Sequence, residues 1–599
     1  MGKTIIINRE LSDVEVREVK QLAQSGSDVY AFPGNEIAGV SLRIEINPDE
    51  KRTVNFETME EVLRFGDLRV EETTVSQLFS TDTASLWHYH KFRVYFDVTA
   101  LMYFLRPVQR QFSAFDGHIW FMPKVAKPLQ ALFPNVDFRF PITHAIFSYN
   151  FTGIFKYLVL CSYRAFRQFF SLKTKSLYLV YLTENYTKLL HPETLQPIWG
   201  NSLLEYLILK LDKRFVLLTE VIMPKLKGKQ RFRFLPGQAR KTWGQCQKVF
   251  IESFMITGLL SREVRKLTRE AKKTLDPLYE KTFSTDLSAT QKLILEVFRS
   301  YHSSSGYYLF RYFAARKYLA NSGLKAVVAY DENSPMTKTI LDAAKFHGIK
   351  TIGLQHGTMH NLHPAYLYTP NDRENRVMPD LTLTWGTYWE DFLLEKGNYP
   401  VGSVVSVGQI RTDIIPVLTL LESNKPGTEP RILFASQPQR DPELRYWAAF
   451  DMFTAASNLP GTKLIVKLHP LEFGDTDYYA DIAEKTGCKN YTIDKTSDLY
   501  QLIASCDVLI TCFSTVGTET IYFHKPLVIL DHLSQDIMGY AAEGVAFQAT
   551  NAESLTTILS GIFKGTLRVD RTKYDTFIQK YAYKIDGKVA ERCIKAIID

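Results

Sequence analysis

KLIVKLHP (residues 463–470) and SDLYQLIASCDVLITCFSTVGTETIYFHKPLVIL (residues 497–530) carry the pattern that decides the fold class of this 599-residue chain. Three short apolar runs, Leu464–Leu468, Val508–Thr511 and Leu527–Leu530, have the character of buried parallel strands with helix-like segments between them. Each run ends in polar side chains: His469 after the first, Ser514 and Thr515 after the second, Asp531 and His532 after the third. In an open α/β sheet the ligand sits outside the carboxyl ends of the strands, so these groups are expected at one site. Ser514 and Thr515 fall where strand gives way to a helix beginning near Val516. Their hydroxyls and the free N–H groups of that first turn would face an anion such as phosphate. Simple capping of the helix would use the same residues.

The chain is too long for one compact core, and ordinary domain sizes point to three or four. Its 45% apolar and 23% charged residues are the balance of a soluble globular protein. The net charge of +8 is spread out without a basic tail, which suits an anionic substrate or membrane surface and equally a merely basic protein. The six cysteines show no zinc-like spacing and fit a reducing compartment. MGKTIIINRE lacks the apolar region of a signal peptide and reads as a first strand, and no apolar stretch approaches the roughly 20 residues that span a bilayer. A cytoplasmic protein, at most lying against the inner face of the membrane, is the expectation.

Thr4–Asn8, Leu11–Ser25 and Val29–Phe32 read as strand, helix and strand. Phe56–Ser80 mixes polar and apolar residues at helical spacing, and Phe92–Leu105 (FRVYFDVTALMYFL) reads as a buried strand and the start of a helix. Aromatic residues crowd Ala145–Tyr181, interleaved with Lys156, Arg164, Arg167, Lys173 and Lys175. That pattern fits an amphipathic helix in an anionic membrane interface, or a core helix whose basic side chains reach the surface. No nucleic-acid motif accompanies it, so nucleic acid is not an expected partner. Val249–Tyr279 and Ser288–Leu319 are helical in pattern. KAVVAY (325–330) then ends in Asp331-Glu332, a helix through Thr337–Phe346 follows, and TIGLQ (351–355) ends at His356-Gly357-Thr358. This is a βαβ unit with polar groups at both strand ends. Leu381–Trp385, Tyr388–Lys396 and Val404–Val407 repeat it, up to Gly408-Gln409-Ile410-Arg411-Thr412-Asp413. ESNKPGTEP (422–430) is the clearest linker, and RILFASQ opens a second α/β series.

The expected architecture is α/β: two Rossmann-like doubly wound domains facing across a cleft, with a large, mostly helical N-terminal elaboration. Residues 1–108 would be an α/β segment and 109–320 an aromatic and basic, largely helical insertion or extension. Residues 321–421 would complete the N-terminal, acceptor-side domain, 431–565 form the C-terminal nucleotide-donor domain, and 566–599 a helical tail. The cleft would collect Asp331, Glu332, His356 and Arg411 from one side and Gln437, His469, Ser514 and Thr515 from the other. No metal-ligand cluster, Walker loop or GxGxxG stands at a strand-to-helix junction, which disfavours a nucleotide hydrolase or a dinucleotide oxidoreductase. Neither a metal nor a cofactor is expected.

From about Lys325 to Phe563 the chain resembles the GT-B glycosyltransferases, most nearly the CDP-glycerol glycerophosphotransferases and the capsule polysaccharide transferases that use CMP-sugars. Those families carry His-Gly-Thr after a strand, here Gln355-His356-Gly357-Thr358, and Gly-x-x-Arg-x-Asp, here Gly408 to Asp413. They carry Lys-x-His-Pro, here Lys467 to Pro470, then a Ser-Asp-Leu helix, a strand and a Ser-Ser or Ser-Thr pair, here Ser497 through Thr515. Two departures stand out. Asp-Tyr-Ser-Ser is replaced by Cys512-Phe513-Ser514-Thr515, and Pro-Leu-Lys after His-Gly-Thr is replaced by Met359-His360-Asn361. UDP-N-acetylglucosamine 2-epimerases share the architecture, so fold alone does not fix the reaction.

The resemblance implies a metal-independent transferase that moves a sugar unit from a nucleotide-activated donor to a cell-surface polysaccharide or lipid-linked glycan. A CMP- or CDP-linked donor is favoured over a UDP-linked one. It places His469 and the Ser514–Thr515 turn at the leaving phosphate, with Gln437, Pro470 and Glu519 completing the donor side. For the base, capsule polysialyltransferases place an acidic pair at a strand end, here Asp331 and Glu332, whereas the glycerophosphotransferases use the His-Gly-Thr histidine, here His356. The preferred assignment is Asp331 or Glu332 as base with His356 orienting donor or acceptor, and Gly357, Thr358, Arg411 and Asp413 as further cleft residues. A sugar-nucleotide epimerase or hydrolase, and a non-catalytic glycan- or nucleotide-binding protein, are the alternatives.

Overall fold

The computed structural model describes residues 3–599 except 113–116, 142–149, 170–175, 223–241, 244, 424–428 and 440. The chain opens with β1 (Ile5–Ile7), α1 (Asp13–Gln24) and β2 (Val29–Ala31), and Ser12 and Glu15 cap α1 reciprocally. β3 (Leu42–Arg43), α2 (Pro48–Asp67), α3 (Leu86–Gln111), β4 (Ile119–Phe121) and β5 (Asp137–Arg139) follow. The strands form a small parallel sheet in the order β3-β2-β1-β4-β5. The strand expected within Phe92–Leu105 is absent, because α3 runs through it unbroken. Val94, Tyr95, Val98, Leu101, Met102 and Leu105 are all buried, and their spacing of three and four residues lines one helix face. Packing of that face overrides the β-branched and aromatic content that suggested a strand.

α4 (Phe151–Phe169) leads into a central sheet built from β6 (Tyr178–Thr183), β7 (Phe215–Glu220), β8 (Thr242–Trp243) and β9 (Cys246–Phe250). Then come α5 (Ile251–Leu260), α6 (Arg262–Lys273), α7 (His302–Leu319), β10 (Ala326–Tyr330), α8 (Pro335–Phe346) and β11 (Lys350–Leu354). β12 (Leu381–Thr384), β13 (Val404–Ser406) and α9 (Ile415–Ser423) complete this half. The order is β8-β9-β7-β6-β10-β11-β12-β13, parallel except at the edge strand β8. The expected boundaries at 108/109 and 320/321 therefore do not follow the sheets. β4 and β5 belong with the first sheet, and residues 178–250 supply half of the second.

The last sheet comprises β14 (Arg431–Ala435), β15 (Lys463–Lys467), β16 (Tyr491–Asp494), β17 (Val508–Thr511), β18 (Leu527–Leu530) and β19 (Phe547–Ala549). α10 (Leu499–Ser505) and α11 (Val516–Tyr522) flank β17, and α12 (Arg571–Ala582) and α13 (Val589–Ile598) end the chain. All its pairings are parallel, in the order β16-β15-β14-β17-β18-β19. Most of the expected linker 422–430 lies outside the described residues.

Both large sheets wind the same way. Their first strands, β6 and β14, lie inside the sheet, the next strands lie to one side, and the later ones return on the other. This doubly wound, Rossmann-like order has a switch point between β6 and β10 in one sheet and between β14 and β17 in the other. Side chains of β6 alternate: Leu179 and Tyr181 pack beneath the N-terminal helices, while Tyr178, Val180 and Leu182 enter a second core. That second core continues through Leu433, Leu509 and Ile529 and reaches Val589 and Cys593 of α13, so one apolar cluster joins the two halves. The α/β class with two Rossmann-like sheets and a helix-rich N-terminal region is the observed fold.

Candidate active site

On the C-terminal half, the switch point brings together the residues that follow β14 and β17. Gln437 Oε1 accepts the Phe513 N–H at 2.9 Å and the Thr511 hydroxyl at 3.3 Å, which ties the two strand ends. Ser436 Oγ accepts the backbone N–H of His469 at 3.0 Å and donates to Glu472 at 2.6 Å. Glu472 is buried and is also held by Arg445 and Tyr479. His469 Nδ1 accepts the Leu471 N–H at 3.2 Å, so the ring proton sits on Nε2 and the imidazole is a donor. Pro470 is exposed at the start of the short 3₁₀ turn Pro470–Glu472. Ser514 Oγ accepts the Val516 N–H at 3.2 Å and therefore caps, whereas the exposed Thr515 makes no capping bond.

On the N-terminal half, Asp331 follows β10 at the other switch point, beside Thr183 of β6, whose hydroxyl bonds that of Tyr330. Asp331 has a left-handed backbone (φ 52°), and the two acids that follow β10 part company there. The Asp331 side chain is 42% exposed, while Glu332 is 1% exposed. Burial pushes the Glu332 carboxyl up to about 8, and neither of its oxygens meets a hydrogen-bond partner among the described residues. It packs against Gly353, where an added Cβ would come within 3.0 Å of its Cδ. Glu332 is thus a buried, proton-bearing group at neutral pH and not a base open to the cleft. His356 Nε2 lies 3.7 Å from Asp331, and its Nδ1 lies 3.1 Å from the Tyr366 hydroxyl. Burial raises the Asp331 pKa and lowers that of His356, and each opposes the shift of the other. Gly357 accepts the Gln355 side-chain amide through its carbonyl, and Thr358 is exposed. Tyr366 and His363 join this site without having been singled out in the sequence. Their rings are 4.9 Å apart, and burial with the fields of His360 and His356 holds His363 down to about 4.

The two halves touch at the carboxyl ends of their sheets. Arg411 approaches Asp498 to 4.0 Å and lies 4.6 Å above the Tyr500 ring. Burial works against the Arg411 charge, but Tyr500, Glu519 and Asp498 outweigh it and raise its pKa. Burial raises the Glu519 pKa against the pull of Arg411, so Glu519 faces the same crossing. Asp413 departs from expectation. Its two carboxylate oxygens accept the N–H groups of Val589 and Ala590 at 2.7 and 2.8 Å, so it caps α13 and is not a cleft residue. Gly408, in the same motif, has φ 107°, and a Cβ there would meet Val589 at 2.8 Å. Among the described residues no group of three or more His, Cys, Asp or Glu side chains could hold a metal.

Residues 445–599 match the family described as CDP-Glycerol:Poly(glycerophosphate) glycerophosphotransferase. The matched segment includes His469, Pro470, Ser514, Thr515 and Glu519 and excludes Asp331 and His356. The fold is of the GT-B type. Among solved structures, the Wall Teichoic Acid Polymerase TagF is similar at 13% identity over 75% of this chain and 95% of that one, with a TM-score of 0.38. The UDP-GlcNAc 2-epimerase from Neisseria meningitidis bound to UDP-GlcNAc is 12% identical over 49% of this GT-B chain and 81% of its own, with a TM-score of 0.38. The epimerase from Methanocaldococcus jannaschii is 11% identical over 71% and 99%, with a TM-score of 0.39. No curated protein sequence matches the chain.

Proposed function

We propose that this GT-B protein is a metal-independent transferase that moves a unit from a nucleotide-activated donor to a cell-surface or lipid-linked glycan. The observation that carries this reading is the coincidence of the family match with the carboxyl edge at the C-terminal switch point, where Ser514–Thr515 follow β17 and His469 follows β15, on the other side of β14. His469 Nε2–H and the Thr515 hydroxyl supply donors for charge developing on the leaving phosphate, as transfer from such a donor requires. Asp331, partly exposed and 3.7 Å from His356, takes the acceptor proton, and His356 orients the donor or acceptor beside it. This division of labour leaves Glu332 out of the open cleft.

The acceptor side has a surface suited to a lipid carrier. No described helix is long and apolar enough to cross a membrane, but α4 turns Phe151, Phe155 and Phe166 outward at 71%, 67% and 63% exposure. Leu259 and Leu260 of α5 are also exposed, at 55% and 74%, and α4 packs on α5. The opposite side of α4 is anchored at the carboxyl edge of the sheet, where Arg164 bonds Thr219 of β7. β7 lies two strands from β10, about 10 Å from the edge that carries Asp331. An apolar face beside the base would let a lipid-linked acceptor present its glycan without leaving the membrane.

Turnover of a panel of CMP-, CDP-, UDP- and GDP-linked donors, with and without lipid-linked acceptor, tests the proposal. Acceptor-dependent release of CMP or CDP is expected, and it should survive EDTA. Release without any acceptor favours the epimerase or hydrolase reading, and no turnover of any donor favours a binding protein. Loss of activity on chelation would mean that a metal manages the leaving-group charge.

A further inference from the structure

A cavity of about 830 Å³ opens at the edge of the central sheet opposite to the candidate active site. It is lined by the start of β11 (Lys350), by Asp380 just before β12, by the C-terminal part of α8 and by the segment Ser76–Ser85. Asp331 precedes the N-terminus of α8, and Lys345 near its C-terminus reaches this cavity, a separation of about 15 Å along the helix. The volume is that of ordinary small-molecule sites.

Its charge is built in a specific way. Lys338, 4% exposed, pairs with Asp342 at 3.5 Å and donates to the Val377 carbonyl at 2.8 Å. Lys345 donates to the carbonyls of Arg376, Val377 and Met378 at 2.6, 3.2 and 2.5 Å. Burial, reinforced by the nearby Lys338 charge, holds the Lys345 ammonium down to about 8. Of the lining carboxylates, Asp82 is engaged by Arg316, Asp342 by Lys338, and Asp380 accepts the N–H and hydroxyl of Thr351. Among the described residues, none comes within ion-pair distance of Lys345, Lys350 or Arg376. The wall thus carries both signs, and Asp342 and Asp380 act on Lys345 from a distance. But the four lining cations, Lys338, Lys345, Lys350 and Arg376, outnumber the carboxylates Asp82, Asp342 and Asp380, and Asp82 is already paired with Arg316, so the balance favours an anion. The same wall offers acceptors for hydroxyl groups, namely the exposed Asp380 and the Ser80 oxygen, whose proton goes to the Ser76 carbonyl at 2.6 Å.

We propose that this cavity is a second ligand site, separate from the donor site, that binds a phosphorylated sugar. Its phosphate is held by Lys350 and Arg376, and its hydroxyls by Asp380 and Ser80, while Lys345, whose three N–H donors are taken by the carbonyls of residues 376–378, fixes the segment that carries Arg376. The test is calorimetric titration of the full chain with glucose 1-phosphate, inorganic phosphate and glucose. Glucose 1-phosphate is expected to bind at least tenfold more tightly than either fragment. The double variant Lys350→Gln with Arg376→Gln changes two rim residues and should weaken that binding tenfold or more at an unchanged melting temperature. His469→Ala should leave it unchanged, which separates this site from the donor phosphate site. Three outcomes overturn the proposal: no binding of glucose 1-phosphate, affinity no better than that of glucose, or affinity that survives the double variant.

Discussion

Among single residues, His469 and Glu332 show how alike two strand-end groups can look in sequence and how differently the fold uses them. His469 is held by bonds at its backbone N–H and at Nδ1, which leaves Nε2–H free to meet a developing charge. His469→Ala is expected to lower kcat by about 10²–10³ through loss of the charge-stabilising donor, with little change in melting temperature because the Nδ1 bond that goes with it lies in an exposed turn. Turnover and thermal melts on the same preparation check this. Glu332 sits beside Asp331 in the sequence, and both read as candidate bases, since neither spacing nor composition separates them. The left-handed turn at Asp331 and the packing against Gly353 do. Glu332 keeps its proton up to about pH 8 when folded, against an ordinary value of 4.5. Folding therefore takes up a proton between those limits, and stability falls as pH rises from about 4.5 to about 8. Glu332→Gln should stabilise the protein at pH 8, by on the order of a few kcal/mol, and bring no such gain at pH 4. Denaturant unfolding at both pH values reads the difference, and equal effects would mean that the buried acid is ionised or paired.

Among elements, α3 and α4 mark where local pattern gives out. The strand ends of the last sheet were legible because each apolar run is short, uniformly buried and followed at once by polar groups. FRVYFDVTALMYFL misleads because its aromatic and β-branched residues favour a strand, while the spacing of Val94, Val98, Leu101 and Leu105 is helical. The basic residues of Ala145–Tyr181 read either as a membrane-facing set or as the snorkelling side chains of a core helix, and those described in α4 divide. Lys156 is exposed, and Lys173 and Lys175 lie outside the described residues. Arg164 is fully buried, 3.1 Å from Glu184 and 3.2 Å from Glu252, with Lys248 2.8 Å from Glu184. No window of sequence could reveal that network, because its members come from α4, α5, β9 and the turn after β6. Arg164→Ala should destabilise the protein by about 3–5 kcal/mol through the carboxylates it strands, as read by urea unfolding. Phe155→Ser with Phe166→Ser should leave the melting temperature unchanged and reduce flotation with anionic vesicles at low salt. Unaltered flotation would remove α4 from the membrane contact.

At the scale of the molecule, the halves are joined by more than their shared apolar core. Asp413 stands in a motif that reads as part of the cleft, but its partners lie 176 and 177 residues further along, so its role could not be seen before the chain was folded. Asp413→Ala should cost about 1–2 kcal/mol as the start of α13 loses its two bonds, and it should enlarge the molecule slightly in solution scattering as α13 loosens. An unchanged stability and radius would mean that the apolar contacts of α13 hold it without the cap. The chain passes from the first half to the second between α9 and β14. It passes back through α12, which packs on α11, and whose end meets Trp389 as the Tyr581 carbonyl accepts the indole N–H at 3.2 Å. A door hung on two pins can swing but can neither slide nor twist. Two crossings set the same rule here: any opening of the halves would be confined to a single arc, and Arg411 and Glu519 would part and meet along it.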